Sequence, residues 1–217
     1  MDFYDFIDKL KFQLQKPLPG EDAQLLMAPS IRRKMSTYNF DALNPKVSAV
    51  MALIYPNENL EPTMVLILRQ SYAGVHSAQI SFAGGKKDDA DENIKATALR
   101  ETFEEIGVEQ HHINVLTELS NLYIPPSNFL VFPFLGYCNE KPAFNLDYKE
   151  VAQLLEFKAL QITNDAIKSK MIIDKHPSGD NVTAPYYLIN DHKVWGATAI
   201  ILSEIEAIFK EILFDEK

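Results

Sequence analysis

The sequence has one cysteine, Cys138, in 217 residues. No internal disulfide can form, and neither a thiol-based reaction centre nor a zinc site is indicated. Placed after Phe134-Leu135-Gly136-Tyr137, Cys138 reads as an inert strand or core residue. Long apolar runs are missing too, so no segment is expected to span a bilayer. Positive charge is scarce: 21 Lys and Arg face 30 Asp and Glu, for a formal net charge of −9 and a pI near 5.0. That field disfavours nucleic acid as a partner. The amino-terminal stretch, MDFYDFIDKL, is acidic from Asp2 and lacks a signal-peptide plan. The last residues, Phe214-Asp215-Glu216-Lys217, carry no peroxisomal signal. A cytoplasmic location is therefore expected. No repeat, low-complexity tract or clear linker interrupts the chain.

Hydrophobic residues make up 47% of the chain, enough for a sizeable core. Phe3, Phe6, Ile7, Leu10 and Phe12 or Leu14 predict a helix from Phe3 to Gln15, ended by Pro17-Leu18-Pro19-Gly20. Arg32-Arg33-Lys34 is a basic cluster, read either as a solvated loop or as a phosphate contact. Strands are predicted at Val47 to Tyr55 and Met64 to Arg69, around the turn-rich Pro56-Asn57-Glu58-Asn59. A loop is expected from Gln70 to Ala90, then strands from Ile113 to Tyr123 and Leu130 to Tyr137. Lys149 to Leu155 reads as a short helix. Tyr186 to Ile189 and Lys193 to Trp195 form a hairpin about Asn190-Asp191. An amphipathic helix runs from Gly196 to Leu213. Strands alternating with helices imply an α/β fold with a mixed sheet between helices.

The most informative stretch is Gly84 to Val108: a glycine-rich turn, an acidic spacer, then Arg100-Glu101-x-x-Glu104-Glu105-x-Gly107. A helix is expected from about residue 92 to 106, with Asp91 as N-cap and Gly107 as terminator. At roughly 100° per residue, and with Glu101 at zero, Glu104 falls near 300° and Glu105 near 40°. Leu99, Phe103 and Ile106 cluster between about 140° and 200° and form the expected packing face. Like charges three and four positions apart destabilise a helix. A hard divalent cation such as Mg²⁺ or Mn²⁺ relieves the repulsion, because it prefers carboxylate oxygens. The alternative is a solvated acidic face with Arg100 paired to Glu104.

This stretch resembles the Nudix box, Gly-x5-Glu-x7-Arg-Glu-apolar-x-Glu-Glu-x-Gly-apolar. Thr102 stands at an apolar position, and the spacing before Arg100 is one residue longer, leaving Asp91 and Glu92 as alternatives for the first acid. Gly84-Gly85-Lys86-Lys87-Asp88-Asp89-Ala90-Asp91 is similar to the form in coenzyme A-type Nudix enzymes. Upstream, Leu66-x-Leu68-Arg69 and His76-Ser77-Ala78-Gln79-Ile80-Ser81-Phe82-Ala83-Gly84-Gly85 resemble the second signature of coenzyme A pyrophosphatases. There Ala78 replaces the usual Gly and Ala83 the usual Pro. Pro126-Ser127-x-Phe129-x-Val131-x-Pro133 and Trp195-Gly196-Ala197-Thr198-Ala199 extend the likeness across roughly residues 45 to 210.

The resemblance implies an α/β/α Nudix sandwich, with residues 1–217 as a single domain carrying a helical extension over about 1–44. It implies Mg²⁺ or Mn²⁺ as cofactor. Glu101, Glu104 and Glu105 are then metal ligands and catalytic residues, Arg100 orients a glutamate, and Glu150 is the candidate extra acid. Arg69, His76, Gln79, Phe82, Gly84 and Gly85 would form the substrate side, and Phe129 either stacks on adenine or packs. The implied reaction splits the diphosphate of coenzyme A or an acyl-CoA into 3′,5′-ADP and 4′-phosphopantetheine. Two alternatives stay open: hydrolysis of another nucleoside diphosphate derivative such as NADH or ADP-ribose, and a non-catalytic nucleotide-binding domain. The expected partner is a small nucleotide diphosphate, with no nucleic acid and no membrane; a homodimer is left open. Glu104→Gln or Glu105→Gln is expected to remove activity and spare the fold.

Overall fold

The computed structural model describes residues 1–70, 79–173 and 181–214. Five α-helices occur among them: α1 (Phe3–Gln13), α2 (Gly20–Leu25), α3 (Phe40–Leu43), α4 (Ile94–Ile106) and α5 (Ala197–Phe214). The first seven strands are β1 (Lys46–Pro56), β2 (Pro62–Arg69), β3 (Ile80–Ser81), β4 (Ala83–Lys86), β5 (Asn114–Glu118), β6 (Leu122–Ile124) and β7 (Phe129–Tyr137). The rest are β8 (Val151–Lys158), β9 (Lys168–Ile173), β10 (Val182–Ile189) and β11 (His192–Trp195). The expected mixed sheet is present: β1 pairs in parallel with β7, while β2 and β4 pair antiparallel with β1. A second sheet of three strands runs β11-β10-β9.

Strand β1 shows why the sheet is covered on both faces. Its side chains alternate, and both sets are apolar, as in a strand buried on either side. Ala49, Met51, Leu53 and Tyr55 join a core with Ala98 and Ile106 of α4. Ala52 and Ile54 face the other core, with Phe3, Phe6 and Leu10 of α1 and Ile201, Ile205 and Phe209 of α5. Phe6 meets Phe209 edge to face, ring centroids 5.0 Å apart. Helices thus lie on both faces of the sheet.

Several elements depart from the sequence-based expectation. Lys149 to Leu155 is no helix: residues from Val151 form β8, antiparallel to β2. Val151, Leu155 and Phe157 are buried there. The apolar spacing suits either state, and the free edge of β2 decides it. The loop expected between Gln70 and Ala90 contains β3 and β4. The long strand to Tyr123 is split into β5 and β6, with Leu119 buried between them. Strand β9 went unforeseen, because Ser169 and Lys170 hide its apolar residues. Helix α5 is buried nearly all round, including Ser203, Glu204 and Glu206, so it is not amphipathic. The hairpin turn is as expected: Asn190 and Asp191 both have positive φ, 47° and 64°, as a two-residue primed turn requires.

The polar groups buried with α5 are satisfied. Glu204, fully buried, accepts from Ser120 Oγ at 2.7 Å, from the Ser120 amide and from Gln24 Nε2 at 3.0 Å. Glu206 accepts from Tyr187 Oη at 2.6 Å and pairs with Lys210 and Lys168. Arg32 is engaged within the fold. Its guanidinium donates to the Tyr123 carbonyl, and burial lowers its pKa. Cys138 is buried, and its thiol is pushed up to about 12 by that burial. No helix among the described residues is long and apolar enough to cross a membrane.

Candidate active site

Helix α4 carries the acidic residues. Its N-cap is Asn93, whose side chain accepts from the Ala96 amide, and not Asp91. Gly107 ends it with φ 73°, a left-handed conformation glycine adopts without strain. A Cβ at Gly107 would also lie 2.7–2.9 Å from Asn145 atoms. The segment around Asn145 satisfies the last turn of the helix. Asn145 N donates to Ile106 O at 3.0 Å, and Asp147 N to Glu105 O at 3.1 Å.

The packing face of α4 is rotated from the expected one. Thr97, Ala98, Thr102, Glu105 and Ile106 are buried, whereas Phe103 is 43% exposed. On a helical wheel this centres the buried arc near Ala98 and Thr102 rather than Phe103. Thr102 can be buried because its hydroxyl donates to Ala98 O at 2.7 Å. Glu105 therefore lies on the buried face, so the idea that its side chain points away from the packing does not hold.

Glu105 is 1% exposed and held by two donors. Arg69 of β2 reaches its Oε1 at 2.8 Å, and the Gly84 amide its Oε2 at 2.8 Å. Burial pushes its carboxyl up to about 7, against the opposing pull of Arg69 and the Gly84 amide. Arg69 also stands 3.7 Å from Glu150, half-exposed before β8. The β2–β8 pairing shifts register between Leu68 and Arg69, where Arg69 opposes Val151, so the bulge helps aim Arg69 and Glu150.

Arg100 organises the outer half. Its Nε and one terminal nitrogen grip Asp91 at 2.8 and 2.9 Å. The other terminal nitrogen bridges Glu101 Oε1 and Glu104 Oε2, each at 2.8 Å. Asp91 further accepts from Thr97 Oγ1 at 2.8 Å and from the Asp88 amide at 2.9 Å. The Arg100 guanidinium holds the Asp91 carboxyl far below the usual carboxylate range, and Asp91 raises the Arg100 pKa in turn. Burial raises the Glu101 pKa, opposed by Arg100. Of Asp91 and Glu92, Asp91 is the one held by Arg100, and Glu92 is exposed.

The glycine turn matters for its missing side chains. A Cβ on Gly84, whose φ is 154°, would strike the β1 backbone at Ala49 and Val50. A Cβ on Gly85 would overlap the Glu101 carboxylate. Glu101 thus rests directly on the turn, which β4 fixes against β1 through the pairs Val50–Gly84 and Ala49–Gly85.

Arg69, Gly84, Gly85, Arg100, Glu101, Glu104, Glu105 and Glu150 are thereby brought together. Phe82 is not with them: it is 2% exposed and belongs to the core shared with α1 and α5. Its alternation along β3 and β4 turns it inward, opposite to the expected substrate side. Gln79 is half-buried, and its carbonyl accepts from Arg69 N at 3.0 Å. Phe129 packs against the first core, with Lys46 Nζ 5.6 Å from its ring centre. His76 and Ala78 lie outside the described residues. Sequence reasoning missed the grip of Asp91 on Arg100 and the Gly84 amide on Glu105. The first could have been found from the acid standing nine positions before the arginine; the second has no signal in sequence.

Among the described residues no three His, Cys, Asp or Glu side chains stand close enough to form a metal-holding group. The acids are instead spanned by the two arginines, which supply the positive charge between them.

Comparison with known proteins gives this geometry its context. Over 198 residues the chain is 28% identical to a protein named Nudix hydrolase NudL from Yersinia enterocolitica, covering 90% of this chain and 88% of that one. A protein of the same name from Photorhabdus laumondii is 29% identical over 145 residues, 67% of this chain and 76% of the relative. The crystal structure of a MutT/nudix family protein from Enterococcus faecalis superposes with a TM-score of 0.51 at 17% identity, covering 94% of this chain and 69% of that one. The NUDIX domain itself matches residues 45–175, a span holding β1, the glycine turn, the acidic helix and Glu150. The chain belongs to the Nudix family.

Proposed function

We propose that this Nudix chain is a metal-dependent hydrolase that cleaves the diphosphate of coenzyme A or an acyl-CoA, releasing 3′,5′-ADP and 4′-phosphopantetheine or its acyl form. The observation that carries the hydrolase reading is the placing of Glu101 against Gly85, of Glu105 on the Gly84 amide, and of Glu104 beside Glu101 on Arg100. A module that only bound nucleotide would gain nothing from massing like charges there. The coenzyme A reading rests on the likeness of Gln79 to Gly85, and of the spacer up to Asp91, to that subgroup.

The residues suit a divalent cation in their chemistry. All candidate ligands, Glu101, Glu104, Glu105 and Glu150, are carboxylates, the hard oxygen donors that Mg²⁺ and Mn²⁺ take. Mg²⁺ keeps several waters and accepts phosphate oxygens, so one or two protein carboxylates suffice and a closed cage is not needed. Bound there, the ion would neutralise diphosphate charge and acidify a coordinated water. The chain's own contribution is positional. Asp91 anchors Arg100, which holds Glu101 and Glu104 apart from solvent disorder. Arg69 and the Gly84 amide fix Glu105. Glycine at 84 and 85 lets the turn seat directly against β1 and the Glu101 carboxylate, where a side chain would clash. The reading of residues 1–217 as one domain with a helical extension over about 1–44 is part of this proposal, supported by the core that Phe3, Phe6, Ile7 and Leu10 share with β1, β2 and α5.

The test is a substrate panel with Mg²⁺ and Mn²⁺, read by mass spectrometry of the products. Coenzyme A should yield 3′,5′-ADP and 4′-phosphopantetheine. Turnover of NADH or ADP-ribose with none of coenzyme A would replace the substrate assignment, and absence of any metal-dependent hydrolysis would sink the enzyme reading.

A further inference from the structure

Beside the C-terminal end of α4 lies a cavity of about 400 Å³. Its lining includes Phe103, Glu104, Glu109, Asn145, Leu146 and Asp147. We propose that this cavity is the subsite for the uncharged pantetheine arm of the substrate. This rests on the coenzyme A reading above and deepens it.

Three observations support a built site rather than a surface dent. The first is rigidity. The wall formed by residues 145–147 is clamped to the helix end by Asn145 N to Ile106 O at 3.0 Å and Asp147 N to Glu105 O at 3.1 Å. Glu150 N and Val151 N donate to Asp147 O at 3.0 and 2.8 Å, which fixes the same segment from its other side. The second is Phe103. A large aromatic on the helix that carries the acids is left 43% exposed, while polar Thr97 and Thr102 take the buried positions. The third is continuity, because Glu104 lines the cavity and is also gripped by Arg100. Glu104 and Gly107 are three residues apart, about 4.5 Å along a helix.

The lining chooses the ligand. Three acidic residues, Glu104, Glu109 and Asp147, line the cavity, and no lysine or arginine is among its described lining residues. Glu109 and Asp147, which are not among the proposed ion ligands, repel phosphate, and all three acids accept N–H and O–H donors. Phe103 and Leu146 offer apolar surface beside them. Of the two ends of coenzyme A, the adenosine bears a 3′-phosphate, which these acids would repel. The pantetheine arm is neutral, carries two amides and one hydroxyl on an aliphatic body, and fits the space. Bound so, the arm places its diphosphate end toward Glu104.

The experiment measures binding of pantetheine, which has no phosphate, to the full chain by ligand-observed NMR, in wild type, Phe103→Ala and Asn145→Ala. Adenosine is the control. Coenzyme A hydrolysis is measured on the same samples. Saturable pantetheine binding that weakens about tenfold in Phe103→Ala is expected, with adenosine indifferent to the substitution. In hydrolysis, Phe103→Ala should raise KM for coenzyme A about tenfold with kcat within about twofold, since an apolar side chain adds binding surface and no charge or proton at the reacting atoms. Both side chains are exposed, so the variants should fold, and circular dichroism checks this. Pantetheine binding equal in all three proteins, no binding in any of them, or adenosine binding lost in Phe103→Ala would overturn the assignment. Pantetheine binding lost in Phe103→Ala, in a chain that hydrolyses no diphosphate, would leave the subsite standing and remove the hydrolase reading instead.

Discussion

Each acid on α4 sits in a different environment, and each should respond differently to loss of charge. Glu101 and Glu104 meet Arg100 through one shared nitrogen, and Glu104 is largely exposed. Glu101→Gln or Glu104→Gln should lower kcat by roughly a hundredfold or more with an unchanged melting temperature, since lost metal-linked charge stabilisation is worth several kcal/mol. Wild-type turnover in both variants would refute their role. Glu105→Gln should lose activity and also about 1–3 kcal/mol of stability, because an amide has one acceptor oxygen for the two buried donors, Arg69 and the Gly84 N–H. Asp91 gives a pH-dependent case. Its native pKa lies far below the ordinary 3.8, so the unfolded chain takes up the proton first as pH falls. The stabilisation from Asp91 is therefore complete above about pH 4 and fades as pH drops toward its native value. Urea melts should show Asp91→Asn less stable than wild type by about 1–3 kcal/mol at pH 7, with the gap narrowing between about pH 4 and pH 2. A gap that widened on acidification would contradict the Arg100 pairing.

At the scale of elements, the glycines set how closely segments approach. Gly107 combines a left-handed φ of 73° with Asn145 atoms where its Cβ would go. Gly107→Ala should cost about 2 kcal/mol or more, read as a lower urea midpoint, and should loosen the Asn145–Asp147 wall. Alanine tolerated at wild-type stability would mean that this junction is not close-packed. Legibility in the sequence also divides at this scale. Helix α4 was readable because an acidic string between glycines has a helical period, and its end was readable because Gly107 stops it. Its packing face was misjudged because Thr102 looks polar until its hydroxyl is seen bonded to Ala98 O. Strand β8 was misread as a helix because Val151, Leu154 and Leu155 fit helical spacing as well as a strand, and only the waiting edge of β2 separates the two. Residues Ile80–Lys86 hid two strands in an expected loop, since glycine-rich segments carry little β propensity.

Across the whole molecule, buried polar ties join distant parts of the chain. Glu204 of α5 connects Gln24 of α2 with Ser120 between β5 and β6, and Ser203 Oγ donates to Ala23 O at 2.7 Å. Thr198 at the start of α5 donates to Ile80 O at 2.8 Å, tying the helix to the strand that leads to the glycine turn. Replacing Glu204 by Ala should cost about 3 kcal/mol, because the Ser120 amide and Gln24 would be left buried without an acceptor. Chemical denaturation measures this, and a change under about 0.5 kcal/mol, typical of surface sites, would show the network to be dispensable. The amino-terminal helix contributes Phe3, Phe6, Ile7 and Leu10 to the first core, each worth roughly 1.5–3 kcal/mol when buried.

By itself the sequence determined which chemistry was available: a periodic set of acids, an arginine among them, two glycines before them, and enough alternating apolar residues for an α/β core. Those features are local, so spacing alone exposes them. Tertiary structure decided which acid each arginine holds, that Phe82 turns into the core, that Glu105 is buried, and that Asn145 to Asp147 close over the helix end. These depend on segments tens of residues apart meeting at hydrogen-bond distance, and no pattern within one segment encodes its partner.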